Sequence, residues 1–227
     1  EFDYISESKF RLAERLHFHC QIANNAIRKS LVGQSNIPKN NQQYSNSYNN
    51  NNNNKENMLL YQHTIQCSQA IQMFLDKNQS YWAFVPMTYE KAHKENLAYR
   101  TTMYTTATTH FQLTQDPTIQ NRLAHIPQPP PGYKFSKRQI ETQVEFFKKN
   151  LINEQFVDDI YVYNAKIIAV MPPNTSDLFR RIVHSLFVTH TETKLNALGH
   201  IFTNPDSVNI RNGIWCANLI HRTIVST

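Results

Sequence analysis

A long polar tract divides the chain and limits what it can fold into. Residues 33–57 are almost entirely Asn, Gln, Ser, Pro, Lys and Tyr, and they end in a run of asparagines at 49–54. Such a segment has too little apolar surface to offset the conformational entropy that it would lose on ordering. The sequence therefore predicts a disordered Asn-rich insert at 33–57, a flexible tether of about 25 to 30 Å.

The segments that flank the insert, 1–32 and 58–77, have the periodicity of amphipathic helices. Apolar or small side chains recur every three or four residues at Leu12, Leu16, Ala23, Ile27 and Leu31, and again at Leu60, Thr64, Cys67, Ile71 and Phe74. Because the tether leaves both helices free to pair, we expect an antiparallel helical hairpin with a second helix over 58–77.

Residues 78–135 are predicted to form a mixed connector. An aromatic cluster at 81–85 ends at Pro86, and a helical pattern follows from Thr88 to Leu113, although its many threonines also suit a strand. Asp116 and Pro117 form an N-cap and first-turn pair for a short helix. The proline-rich run at 127–132 is expected to be extended.

Residues 136–227 are predicted to be mostly helical. Ser136 and Gln139 have the spacing of a capping box, and three further helices are expected near 178–186, 195–202 and 208–220, stacked on one another. The run 160–171 alternates partially and ends at two prolines, which predicts one short strand or hairpin. The fold class is therefore mainly α, with α+β as the alternative.

Glycine scarcity excludes two nucleotide-binding motifs. The 4 glycines are isolated from one another, whereas a phosphate loop or a dinucleotide fingerprint needs two or three glycines within about eight residues. The histidines are scattered, and no nucleophile elbow or metalloprotease helix is present. We therefore expect neither an enzyme nor a bound cofactor.

One set of residues has the chemistry of a zinc site. His17 and Cys20 are three residues apart, and His63 and Cys67 are four apart, so each pair lies on one face of its predicted helix. If the hairpin joined these faces, two nitrogens and two sulfurs would suit tetrahedral zinc. The alternative is that these side chains simply pack in a helical core.

Basic charge with interleaved aromatic residues indicates a candidate nucleic-acid site. The net charge is +6, and aromatic rings beside cations suit base stacking with phosphate neutralisation. The alternative is that these cations only keep a helix face soluble. The candidate residues are Tyr133, Lys134, Phe135, Lys137, Arg138, Lys148, Lys149, Arg180 and Arg181.

Two further groups are candidate partner-binding residues. The aromatic side chains Tyr81, Trp82 and Phe84 would anchor an interface if exposed and would fill a core if buried. The prolines Pro129, Pro130 and Pro131 either dock into an aromatic groove of a partner or serve as a stiff connector.

Cysteine and hydropathy patterns bear on the compartment. The 3 cysteines are a sparse, odd set that favours a reducing intracellular setting, and no apolar run is long enough for a membrane helix. Because the chain starts at Glu1, we expect it to be an internal piece of a longer polypeptide.

These patterns predict a non-catalytic scaffold or adaptor subunit of a multiprotein assembly. Its helical faces would bind other protein subunits, and the Asn-rich tract with the basic charge favours a nuclear role in transcription or chromatin regulation. The alternative is a module that binds DNA or RNA directly through its basic and aromatic residues.

Overall fold

The computed structural model describes residues 4–8, 10–34, 58–105, 116–149, 157–191, 193, 195–196 and 213–222. Apart from residues 33 and 34, the predicted Asn-rich insert lies outside these ranges. The described chain is mainly helical with a small two-stranded antiparallel sheet, so the predicted fold class is confirmed.

Four helices of the described chain have 12 or more residues, and its other elements are shorter. In chain order they are α1 (Leu12–Val32), α2 (Leu59–Thr64), α3 (Ser68–Lys77), a 3-10 helix (Gln79–Phe84), β1 (Met87–Thr88), α4 (Tyr89–Thr105), α5 (Pro117–Ala124), β2 (Tyr133–Lys134), α6 (Lys137–Lys148), α7 (Asp177–His190) and α8 (Gly213–Ala217). β1 and β2 pair so that Met87 lies opposite Lys134 and Thr88 opposite Tyr133.

The prediction of one helix over 58–77 is wrong. α2 ends at Thr64, whose hydroxyl donates to the backbone oxygen of Leu60 at 2.7 Å. Cys67 then takes an extended backbone conformation as the N-cap of α3. The chain therefore turns between two short helices, which belong to different compact units.

The first unit contains the described residues within Glu1–Ala26, Pro38–Ile65 and Asp158–Ile210. α1 packs against α2 in this unit, where Ala23 meets Leu60 and Tyr61. The half-buried hydrophobic residues around that contact are Tyr4, Ile22, Ala26, Met58, Val162, Tyr163 and Leu195.

An irregular segment replaces the strand that was predicted at 160–171. Residues 157–171 contain no strand, helix or turn. The buried Asn24 side chain donates to the backbone oxygens of Asp158 at 2.8 Å and Ile160 at 2.9 Å. A side chain of α1 thus satisfies the carbonyls that a neighbouring strand would otherwise bind.

The second unit contains the described residues within Ile27–Ile37, Gln66–Val157 and Arg211–Thr227. Its core is a group of aromatic rings, with centroids 5.0 to 6.2 Å apart and edge-to-face or tilted contacts. Such geometry places the positive edge of one ring near the negative face of another. The rings belong to Phe74, Tyr81, Phe84, Phe146 and Phe147.

The predicted capping box begins α6 and also joins α6 to the 3-10 helix. Ser136 Oγ accepts from the backbone N–H of Gln139 at 3.1 Å, and the Ser136 N–H donates to Gln139 Oε1 at 3.0 Å. The Gln139 amide also donates to the Val85 carbonyl at 2.6 Å, and Gln143 donates to the Ala83 carbonyl at 2.8 Å.

Other predicted helices are confirmed in part. The pattern from Thr88 to Leu113 is helical over Tyr89–Thr105, and its remainder lies outside the described residues. Asp116 caps α5 by accepting from the Thr118 N–H at 2.8 Å. Of the three closing helices, α7 is present, and most of the one predicted at 195–202 is outside the described residues. The described part of the one predicted at 208–220 contains α8 (Gly213–Ala217), and its beginning is outside the described residues.

Candidate functional site

Exposed apolar side chains concentrate in one stretch of the first unit. Of the sixteen large hydrophobic residues that are exposed within the described ranges, eight lie between Tyr161 and Leu186. Single exposed hydrophobic residues are ordinary, but a concentration of them marks an interaction surface. We use the name apolar surface for the exposed residues Ile167, Ile168, Val170, Leu178, Phe179, Ile182 and Leu186, which lie near one another along the chain.

α7 contributes a continuous stripe to the apolar surface. Ser176 Oγ accepts from the Phe179 N–H at 3.2 Å, and this bond fixes the start of the helix. Leu178, Ile182 and Leu186 follow at intervals of four residues and are 70%, 48% and 52% exposed. At 1.5 Å per residue they form a stripe of about 12 Å on one face of α7.

The irregular segment before α7 contributes the rest of the apolar surface. Its beginning is held in place by Asn24 and by a 2.6 Å hydrogen bond between the hydroxyls of Tyr163 and Thr64. Further along, Ile167, Ile168 and Val170 are all exposed, and Val170 is 82% exposed. The fold thus fixes the start of this segment and leaves its apolar end uncovered.

Burial of these side chains would supply a substantial driving force. A Leu, Ile or Phe that passes from full exposure to burial gains about 1.5 to 3 kcal/mol, and about half of that is available where a side chain is already half covered. The four apolar residues of α7 together offer about 3 to 6 kcal/mol. Association costs at least about 4 kcal/mol, so burial of these four side chains alone would leave little net binding energy and further contacts are needed.

The predicted nucleic-acid residues form separate groups rather than one patch. Tyr133, Lys134 and Phe135 are half-buried, and the Lys134 ammonium lies 5.4 Å from the ring centroid of Tyr89. Lys137 and Arg138 are exposed in the first turn of α6.

The remaining predicted cations lie elsewhere. Lys148 and Lys149 are exposed at the opposite end of α6, about 15 Å along the helix. Arg180 and Arg181 belong to α7 in the first unit, where Arg180 forms an ion pair with Asp177. Of the predicted nucleic-acid residues, those near the start of α6 are therefore the ones that could form a continuous basic surface within one unit.

Most of the predicted partner-binding residues are built into the fold. Tyr81 and Phe84 are buried in the aromatic core of the second unit, so the core interpretation is the correct one for them. Trp82 is half-buried beside His221, with ring centroids 4.8 Å apart.

The proline run ends in a turn at residues 131–132, and residues 127–130 before it form no helix, strand or turn. The Pro130 carbonyl accepts from the Tyr133 N–H at 3.0 Å, and Gly132 has a positive φ of 86°. This is the conformation that favours glycine at the third position of a type II turn. Pro129 is half-buried, Pro130 is buried and Pro131 is exposed, so a partner cannot bind the three prolines together.

The predicted zinc site is not assembled. In the part of the chain that the structure describes, no three His, Cys, Asp or Glu side chains come close enough to hold a metal ion. Cys67 belongs to the second unit, whereas His17, Cys20 and His63 belong to the first. Burial raises the pKa of the Cys20 thiol, although backbone hydrogen bonds from Tyr163 and Val162 oppose the shift, and this disfavours the thiolate that zinc requires.

A buried polar pair lies between α1 and α2 near the start of the irregular segment. His19 Nδ1 and the Tyr61 hydroxyl are 2.7 Å apart, and His19 Nε2 has no hydrogen-bond partner. Burial, with a further contribution from the Arg15 charge, lowers the pKa of His19 to about 4. Burial also raises the pKa of Tyr61. Both groups are therefore neutral near pH 7.

The sequence predicted the helix that carries part of the apolar surface, but not the exposure of that surface. The 178–186 periodicity marked a helix that buries a face, but it did not reveal that the apolar stripe is uncovered. The 167–170 residues were assigned to a strand because alternation alone does not distinguish a paired strand from an uncovered segment.

Neither membrane-spanning helices nor matches to known proteins accompany this geometry within the described residues. No helix in the described ranges has the length and apolar content needed to cross a membrane. No family model matches the chain, and no match is found among curated proteins or solved structures.

Proposed function

We propose that the protein is a non-catalytic scaffold or adaptor subunit that binds other protein subunits through its apolar surface. The observation that carries the proposal is the exposed stripe of Leu178, Ile182 and Leu186 on α7, which follows the exposed residues Ile167 and Val170. Leaving this much apolar side chain in water is unfavourable unless a partner covers it.

The chemistry of α7 indicates the kind of partner. Arg181 is exposed and lies beside Ile182 and Leu186, with Ser185 and Thr189 completing the same shallow depression. A helix that offers apolar residues at three- and four-residue intervals, flanked by carboxylates that face Arg181, would complement it. We therefore propose a partner protein that presents an acidic amphipathic helix.

The compartment belongs to the same proposal. The Asn-rich tract and the net charge of +6 support a nuclear assembly linked to transcription or chromatin. Fluorescence imaging of the tagged intact polypeptide tests the location, and exclusion from the nucleus would contradict this element alone.

Affinity purification of the intact polypeptide tests the binding proposal. The test variant carries Leu178→Ser, Ile182→Ser and Leu186→Ser, and the matched control is Leu97→Ser, which changes a half-exposed leucine on α4 of the second unit. We expect wild type and control to recover the same subunits in fixed stoichiometry and the test variant to lose them. Recovery of the wild type alone, or full retention by a folded test variant, would contradict the proposal.

Direct binding of DNA or RNA is the second candidate function. It is favoured by Lys137 and Arg138, which are exposed next to the half-buried ring of Tyr133. A salt titration with mixed oligonucleotides tests it, because each phosphate contact steepens the logarithmic salt dependence by nearly one unit. Absence of binding at low salt would exclude this function.

A further inference from the structure

A cavity of about 630 Å³ lies within the second unit, apart from the apolar surface. Its wall combines residues from the 3-10 helix, α4, β2, α6 and the segment after α8. This volume is within the range of about 300 to 1,000 Å³ that is typical of small-molecule sites.

Three aromatic side chains line the cavity. Trp82 and His221 are in contact, with ring centroids 4.8 Å apart and planes inclined by 51°, and Tyr133 is a third lining residue. Flat heteroaromatic ligands stack on such rings, and stacking on an aromatic side chain contributes substantially to binding of a nucleobase.

Charged side chains in the same cavity favour an anionic ligand. Lys91 and Arg138 both line it and are exposed, whereas Glu95 is the one carboxylate among its described lining residues. These two cations suit a phosphate group, which needs no glycine-rich loop when side chains neutralise its charge.

Two polar atoms of the lining residues lack partners. Trp82 Nε1 and Glu95 Oε2 are both shielded from water and form no hydrogen bond. Because water does not reach either atom while the cavity is empty, a ligand in the cavity would meet Trp82 and Glu95 through their other atoms, which line the wall.

We infer that this cavity binds a nucleotide. Its base would stack beside Trp82 and donate an exocyclic amino N–H to Glu95, and its phosphate would lie against Lys91 and Arg138. The ligand that carries this base and phosphate is either a free mononucleotide or one nucleotide of a single-stranded nucleic acid. The inference does not depend on the apolar surface, which belongs to the first unit.

Titration calorimetry of the full chain with CMP, UMP and cytidine tests the inference. CMP carries the amino group that a carboxylate accepts, UMP lacks it, and cytidine lacks the phosphate. We expect CMP to bind more tightly than either. The variants Lys91→Gln and Arg138→Gln should each weaken CMP binding about tenfold, and Glu95→Ala should remove the preference for CMP over UMP.

The matched control is Lys94→Gln, which changes an exposed lysine of α4 that pairs with Glu90 at 2.8 Å and does not line the cavity. Its CMP affinity should equal that of wild type. Tighter binding of a short cytidine oligonucleotide than of CMP would assign the site to single strands, and the reverse would assign it to free nucleotides. The inference is overturned if CMP does not bind, or if Lys94→Gln weakens binding as much as Lys91→Gln.

Discussion

Acidification should destabilise the protein through His19. His19 is only 7% exposed, and its pKa in the folded state is about 4, below the ordinary value of 6.5, because burial and then the Arg15 charge disfavour the imidazolium. The unfolded chain therefore binds a proton at a higher pH than the folded chain. The neutral His19 contributes its full stability above about pH 6.5, and this contribution is lost as the pH falls towards 4.

The size of the effect follows from the two pKa values. A separation of about 2.5 pH units at about 1.4 kcal/mol per unit amounts to about 3 kcal/mol of unfolding free energy. That is a large part of the stability of an ordinary domain, which is about 5 to 15 kcal/mol.

The assay is urea unfolding between pH 7 and pH 4, followed by circular dichroism, for wild type and His19→Gln. Acidic residues titrate in both proteins, so the difference between their unfolding free energies isolates His19. We expect that difference to shift by about 3 kcal/mol in favour of the variant as the pH falls. His93→Gln, at an exposed position of α4, serves as the control. A wild-type to His19→Gln difference that does not change with pH would refute the reasoning.

Three stability predictions follow from other contacts. Asn24→Ala removes both hydrogen bonds to the 158–160 carbonyls and should lower the unfolding free energy by about 2 to 3 kcal/mol in urea, whereas the exposed substitution Gln69→Ala should leave it nearly unchanged. Gly33→Ala should lower the melting temperature, because Gly33 has φ of 78° and an added Cβ would clash with the His125 carbonyl oxygen; an unchanged melting temperature would contradict that close approach. Phe84→Ala opens the aromatic core and should cost about 3 to 5 kcal/mol by chemical denaturation, and a loss below about 1 kcal/mol would mean that the core is not packed as described.

Local signals in the sequence predicted much of the fold. The capping box at Ser136 and the Asp116 cap of α5 depend on residues within three positions of one another, so they are readable from the chain alone. The positions of α1 and α7 likewise follow from local apolar periodicity, whereas the threonines of the α4 segment left helix and strand both open.

Long-range pairing was not predictable in the same way. The segment at 160–171 has the composition of a strand but is irregular, and the carbonyl of Ile160 at its start is bound by Asn24, more than 130 residues earlier in the chain. The cavity combines Trp82, Glu95 and Arg138 with His221, and no spacing in the sequence indicates that these residues meet. The zinc prediction failed for a related reason, since it assumed a helix register that the break before Cys67 removes.

Photo-crosslinking from α7 tests the central claim most directly. A photoreactive phenylalanine analogue is placed at Ile182 or Leu186 in the intact polypeptide, with Leu97 on α4 as the comparison position. If the apolar surface is the binding interface, both α7 positions yield an adduct with the same partner protein, and the partner peptide is an acidic amphipathic helix. Irradiation that leaves the α7 positions without adducts while the partner subunits still co-purify would contradict the claim.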